Sequence, residues 1–176
     1  EISCSLVGSE MCIRDSHDSV FITTLEGIER FPNLTQLVCE DHRIISLDLS
    51  QNKKLGFITV GYTNDRFIPG RGVVPHTPNE LSRLILPATG QLEELDCQSN
   101  KLSALDLSGQ TALKKINCSA NKLSSLDLND CCNLETLHCE RNTLSSLDIS
   151  CCPKIETVSC YDLSLIHISE PTRLQL

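Results

Sequence analysis

Cysteine offers the most chemistry in this chain, and its spacing decides how much of that chemistry is open to it. Five of the eleven, Cys39, Cys97, Cys118, Cys139 and Cys160, sit at one recurring position, and the last four are spaced 21 residues apart. A row of thiolates could ligate a soft metal or undergo redox chemistry. A strict period with inward parity predicts instead a column of small buried hydrophobes, a role that unoxidised cysteine fills well. Side chains stacked in line on neighbouring parallel strands also suit disulfides poorly. The doublets Cys131–Cys132 and Cys151–Cys152 are different, since they fall on the turn between units. Cys131 and Cys152 are 21 apart and should stack. Free thiols, a disulfide and a four-thiolate metal site are all open for them. The metal reading has the right ligand number but lacks the usual CxxC spacing. The redox compartment is likewise open.

Other candidate chemistry is sparse. Asp48, Asp106, Asp127 and Asp148 form a row that could suggest calcium. Their place after each LxxL segment predicts caps on backbone N–H groups at a turn. Paired acids such as Glu93–Glu94 recur as a solvated face. The sequence has no Ser-His-Asp grouping, HExxH, phosphate loop or dinucleotide fingerprint. No catalytic residue, metal or cofactor is assigned, and an enzyme is not expected.

The elements that position these residues are repeats. LEELDCQSNKLSALDLSGQTA, LKKINCSANKLSSLDLNDCCN and LETLHCERNTLSSLDISCCPK follow one another without a gap over 92–154. Eight positions keep their chemistry through three cycles, including Asn100, Asn121 and Asn142. Such a period marks a solenoid. Within LxxLxC, side chains alternate inward and outward as a short strand requires. One unit cannot bury its own leucines, whereas stacked units can. The asparagine suits an inward amide that bonds backbone groups where the chain leaves the strand.

The pattern resembles the leucine-rich repeats, whose signature is LxxLxLxxNxL. Its 21-residue length, with Cys in place of the third Leu, is similar to the cysteine-ladder internalins and related bacterial surface repeat proteins. The resemblance covers roughly 22–162. It implies a leucine-rich-repeat solenoid, a right-handed β-rich superhelix. The parallel sheet would line the concave face, with short 3₁₀ or irregular segments on the convex side. It also implies a secreted or cell-surface protein that binds a partner.

Taken in order, 17–33 is a lead-in or partial first repeat. Units follow at 34–54, 55–91, 92–112, 113–133 and 134–154, with a partial one at 155–162. His42 takes the Asn position of the first full unit. The unit 55–91 is too long, and its excess is read as an insertion over 65–80, rich in Pro and Gly and therefore a loop. Long loops in compact repeats are often functional. This one carries Arg66, Phe67, Arg71 and His76.

The flanks read differently. LVGSEMCIRDS at 6–16 and LSLIHISEPTR at 163–173 can be encoded by one DNA sequence and its reverse complement. They resemble translated sequencing-adapter DNA, so 1–16 and 163–176 are taken as tails outside the native repeats; 1–16 and 171–176 are expected to be disordered or loosely packed, and any coil continuing through 163–168 would rest on opportunistic burial of Leu165 and Ile168. Without them the chain holds 13 Lys+Arg, 19 Asp+Glu and nine cysteines. That acidic balance argues against a general nucleic-acid binder. No apolar run is long enough to span a bilayer.

The functional expectation is a protein-interaction or adhesion module that takes a protein or glycan partner on its concave face. The alternative is the non-catalytic targeting arm of a larger enzyme or effector. The candidate surface is Phe57, Thr59, Glu94, Asp96, Lys115, Asn117, Thr136, His138, Glu140, Ser159 and Tyr161. It extends over Gln36, Val38, Glu40 and Thr157. Aromatic and charged anchors carry most weight in such faces.

Overall fold

Apolar positions that recur every 21 residues must find their burial in neighbouring coils, and the computed structural model of the chain shows how. It describes residues 2–7, 13–15, 23–39, 43–61, 66–68, 72–74, 79–164 and 167–169; five short strands among these (2–7, 13–15, 66–68, 72–74 and 167–169) are described by backbone alone. In chain order the strands are β1 (Ile2–Val7), β2 (Ile13–Asp15), β3 (Gln36–Cys39), β4 (Ser46–Asp48), β5 (Phe57–Thr59), β6 (Arg66–Ile68) and β7 (Gly72–Val74). They continue as β8 (Arg83–Ile85), β9 (Glu94–Asp96), β10 (Lys115–Asn117), β11 (Thr136–His138), β12 (Ser146–Asp148), β13 (Thr157–Ser159) and β14 (His167–Ser169).

The concave sheet has the order β13-β11-β10-β9-β5-β3-β1-β2. From β3 to β13 every pairing is parallel, each strand lying one coil beyond the last. The register aligns Leu37, Ile58, Leu95, Ile116, Leu137 and Val158 in one inward row. Leu34, Leu55, Leu92, Leu113 and Leu134 form a second, all fully buried. Cys39, Val60, Cys97, Cys118 and Cys139 form the third, with Val60 standing where the other coils place cysteine. All three rows belong to one continuous core. Each buried Leu or Ile contributes about 1.5–3 kcal/mol.

The asparagine row closes each coil. Asn121 Nδ2 donates to Cys118 O at 3.0 Å and Ser119 O at 3.2 Å in its own coil, and to Cys97 O at 3.0 Å in the coil before. Its Oδ1 accepts from Leu102 N at 3.0 Å. Asn142 repeats the arrangement on Cys118, Cys139, Glu140 and Leu123. The residues preceding these asparagines, Ser99, Ala120 and Arg141, stand at φ 52–55°, a left-handed conformation that side chains otherwise avoid, and Asp162, before Leu163, shares it at φ 53°.

One sequence expectation needs correction here. Asn79 and Glu80 were placed in the insertion, yet both belong to the coil. Asn79 is buried, with Nδ2 3.4 Å from Val60 O, and Glu80 lies 3.5 Å from Lys101. Each stands 21 residues before its counterpart, Asn100 and Lys101, so the coil resumes at Asn79. The insertion also contains a short antiparallel ribbon, β6 on β7, with Phe67 opposite Val73. The structure also divides the cysteine doublets. Cys131 and Cys152 are fully buried and continue an inward row begun by Asn52 and Gln110, whereas Cys132 is exposed and Cys151 half-buried.

On the convex side the aspartates act as caps. Asp48, Asp106, Asp127 and Asp148 accept from the backbone N–H two residues on, at 2.9–3.0 Å. For Asp48, Asp106 and Asp148, hydrogen bonds from the following serine hold the carboxyl below its usual range. A 3₁₀ turn at Ile28–Arg30 leads into the first coil, and Asn52 Nδ2 ties it down through Ile28 O at 2.7 Å and Phe31 O at 3.1 Å. The convex side is not wholly irregular, because β4 pairs with β8 and β12 with β14.

Over the described residues both flanks pair with the repeats. β1 lies antiparallel on the edge of β3. β14 pairs with β12 in the 21-residue register, Ile168 opposite Leu147. An unpaired sheet edge is a template for any extended segment of suitable pattern.

Candidate functional site

The parallel register that drives the leucines inward also drives every second residue outward, at about 4.8 Å from strand to strand. One outward row runs Phe57, Glu94, Lys115, Thr136 and Thr157. The next runs Thr59, Asp96, Asn117, His138 and Ser159. Together, from Gln36 to His138, they line a groove of about 280 Å³. Phe57 is 41 % exposed and Tyr161 55 %, two of the three large apolar side chains exposed to solvent among the described residues. The third, Ile45, lies just before β4 on the other side of the coil.

Ion pairs between coils fix part of this surface. Lys115 Nζ lies 2.9 Å from Glu94 Oε1, and at the rim Lys114 Nζ lies 2.7 Å from Glu93 Oε2. These pairs are exposed and each adds at most about 1 kcal/mol. They serve better as fixed polar positions than as stabilisers. Asp96 is held more firmly. Its Oδ1 accepts from Gln98 N at 3.1 Å, and its Oδ2 from Gln98 Nε2 at 3.2 Å and Asn117 Nδ2 at 3.4 Å. Gly61 makes room for this arrangement. A Cβ there would collide with Asp96 Oδ1 and come within 2.8 Å of Gln98 N.

At the end of the last strand, Arg141 lies over the Tyr161 ring at 5.9 Å and 3.8 Å from Asp162. Beside them, one carboxylate oxygen of Glu140 is shut off from solvent with no hydrogen-bond partner. Thus Phe57, Thr59, Glu94, Asp96, Lys115, Asn117, Thr136, His138, Glu140, Ser159 and Tyr161 are all solvent-accessible side chains on the sheet strands or just beyond them. Arg66 and Phe67 are placed on β6 by backbone alone. Glu40, His42, Arg71 and His76 lie outside the described residues. The sequence missed Gly61, because a lone glycine beside an insertion looks like loop punctuation. Its Gly–Tyr context gave no sign that the neighbouring coil presses on it.

The thiol ladder is chemically quiet. Burial pushes the Cys139 thiol up to about 12, with Cys160 and Glu140 adding to the effect. Burial likewise raises Cys97 and Cys118. Such thiols are poor nucleophiles and poor ligands. Among the described residues no group of three or more His, Cys, Asp or Glu side chains is arranged to hold a metal ion. Nor is any described helix long and apolar enough to cross a membrane.

These features define a leucine-rich-repeat solenoid with a cysteine ladder in its core. Solved structures agree on the fold. The chain aligns with a leucine-rich-repeat protein of Leptospira interrogans at TM-score 0.59 and 17 % identity, covering 85 % of this chain and 40 % of that one. It aligns with a chain of the LRIM1/APL1C complex at TM-score 0.54 and 20 % identity, covering 85 % and 31 % respectively. The functional domain of InlJ from Listeria monocytogenes, which includes a cysteine ladder, matches at 23 % identity over 85 % of this chain and 51 % of that one, with TM-score 0.33. The chain therefore spans less than half the length of the first two neighbours. No family model matches the sequence, and no curated relative does.

Proposed function

We propose that this chain is a binding module whose concave face receives a protein partner. The observation that carries the proposal is the groove of about 280 Å³ on the sheet, with exposed Phe57 at one side and fixed polar groups from successive strands across it. A large aromatic surrounded by charged and amide side chains has the composition of an interface anchor. The strands beneath are paired from coil to coil, an arrangement that favours a low ordering cost on binding. LRIM1/APL1C, which shares the fold, is itself a protein complex. Non-enzymatic recognition accords with side chains spent on capping, salt-bridging and packing. A secreted or cell-surface setting is the part of this reading that rests on the internalin-like repeat pattern.

The test is a compound variant, Phe57→Ala, Asp96→Ala, Lys115→Ala, Asn117→Ala and His138→Ala, compared with the parent chain against protein binders selected on the parent from a displayed library. Loss of affinity by about 100-fold or more, in a variant that still unfolds cooperatively, is the expected result. Undiminished binding would place recognition elsewhere.

A further inference from the structure

We propose that Cys132 and Cys151 form an oxidisable pair, able to cross-link the coils 113–133 and 134–154 on the convex side through a disulfide. The structure splits each cysteine doublet. Cys131 and Cys152 are fully buried, while Cys132 is exposed and Cys151 half-buried. The split is fixed by the turns on either side. Cys131 N donates to Leu128 O at 2.9 Å and its carbonyl accepts from Leu134 N at 3.0 Å. Cys152 repeats this with Ile149 O at 3.0 Å and Ile155 N at 3.2 Å. Each turn thus buries one thiol and leaves its neighbour outside.

The two outer thiols come from neighbouring coils and converge on one residue. Cys132 Sγ lies 3.7 Å from the carbonyl oxygen of Asn129, and Cys151 Sγ lies 3.5 Å from Oδ1 of the same residue. Asn129 is thus bracketed by the two sulfurs, one at its backbone carbonyl and one at its side-chain amide, and closing the bridge would replace both contacts. The inner thiols are a built-in control, since burial pushes Cys131 up to about 12 and Cys152 to about 11 and keeps both protonated.

With a low-molecular-weight disulfide such as glutathione disulfide, the chemistry balances without other reactants. The thiolate of one outer cysteine attacks a glutathione sulfur, breaks its S–S bond and expels one glutathione thiolate. The second outer cysteine gives its proton to solvent, attacks the protein sulfur of the mixed disulfide and expels the other glutathione. Two protein thiols are oxidised and one glutathione disulfide is reduced to two thiols. The product staples two adjacent coils and restricts the unfolded chain.

The experiment incubates the full chain with glutathione disulfide, alkylates the remaining thiols, digests, and locates linkages by tandem mass spectrometry. The expected product is a Cys132–Cys151 cross-link with Cys131 and Cys152 alkylated only after unfolding. It should raise the melting temperature by about 5 °C, reversibly with reductant. Cys132→Ser and Cys151→Ser, both at accessible positions, should each abolish the cross-link and the rise. Stable glutathione adducts on both cysteines without a cross-link would overturn the proposal. So would a linkage through Cys131 or Cys152, or the same thermal shift in either serine variant.

Discussion

At the scale of single residues, the asparagine row matters out of proportion to its size. Asn121 bonds three carbonyls and one N–H in the buried part of the coil. Asn121→Ala should lower the unfolding free energy by about 3 kcal/mol, since unmade buried hydrogen bonds cost about 1–3 kcal/mol each. Urea denaturation of this variant beside the parent chain decides this, and an unchanged unfolding free energy would refute the account. The thiols make a second prediction. Cys131, Cys139 and Cys152 are raised from 9.0 to about 12, 12 and 11. The unfolded chain therefore ionises its thiols near 9 while the folded chain keeps them neutral. Stability is full below pH 9 and is lost as pH rises toward 11–12, at about 1.4 kcal/mol per pH unit for each thiol. Denaturation under reducing conditions at pH 8 and pH 10.5 measures the fall. Cys139→Ala should weaken that pH dependence, although it lowers stability at pH 8.

At the scale of elements, the concave face is held in shape by a contact between coils. Gly61 ends the strand segment that carries Phe57, and Asp96 on the next coil fills the space a side chain there would take. Gly61→Ala should destabilise by about 1–3 kcal/mol through overpacking. It should also displace the Asp96 carboxylate, seen as shifts in the amide resonances of Gln98 and Asn117. Unmoved resonances would mean that the Asp96 position does not depend on this glycine. The elements themselves were largely legible in the sequence. Three gapless copies of one unit give the inward parity of Leu95, Cys97 and Asn100 directly, and the outward parity of Glu94, Asp96, Lys115 and His138 follows. What the sequence concealed lies where the period is broken or degenerate. Asn79 was hidden because an insertion separates it from its own strand, and only counting back 21 from Asn100 recovers it. Cys131 and Cys152 were hidden because their row changes chemistry, from amides at Asn52 and Gln110 to thiols, so no single residue type marks it as inward. Periodicity also says nothing of the pairing of β6 with β7.

At the scale of the whole molecule, the coils form one continuous core with different surfaces on its two sides. The sheet side presents Phe57 amid fixed polar side chains, whereas the far side presents aspartate caps, the thiols Cys132 and Cys151, and exposed Ile45. If recognition belongs to the sheet side, an exposed apolar residue there must touch the partner and one on the far side must not. Replacing Phe57, and separately Ile45, with the photoreactive amino acid benzoylphenylalanine tests this directly in the presence of a protein that binds the parent chain. The account predicts covalent capture of that protein from position 57 and none from position 45. Capture from position 45 with none from position 57 would contradict it.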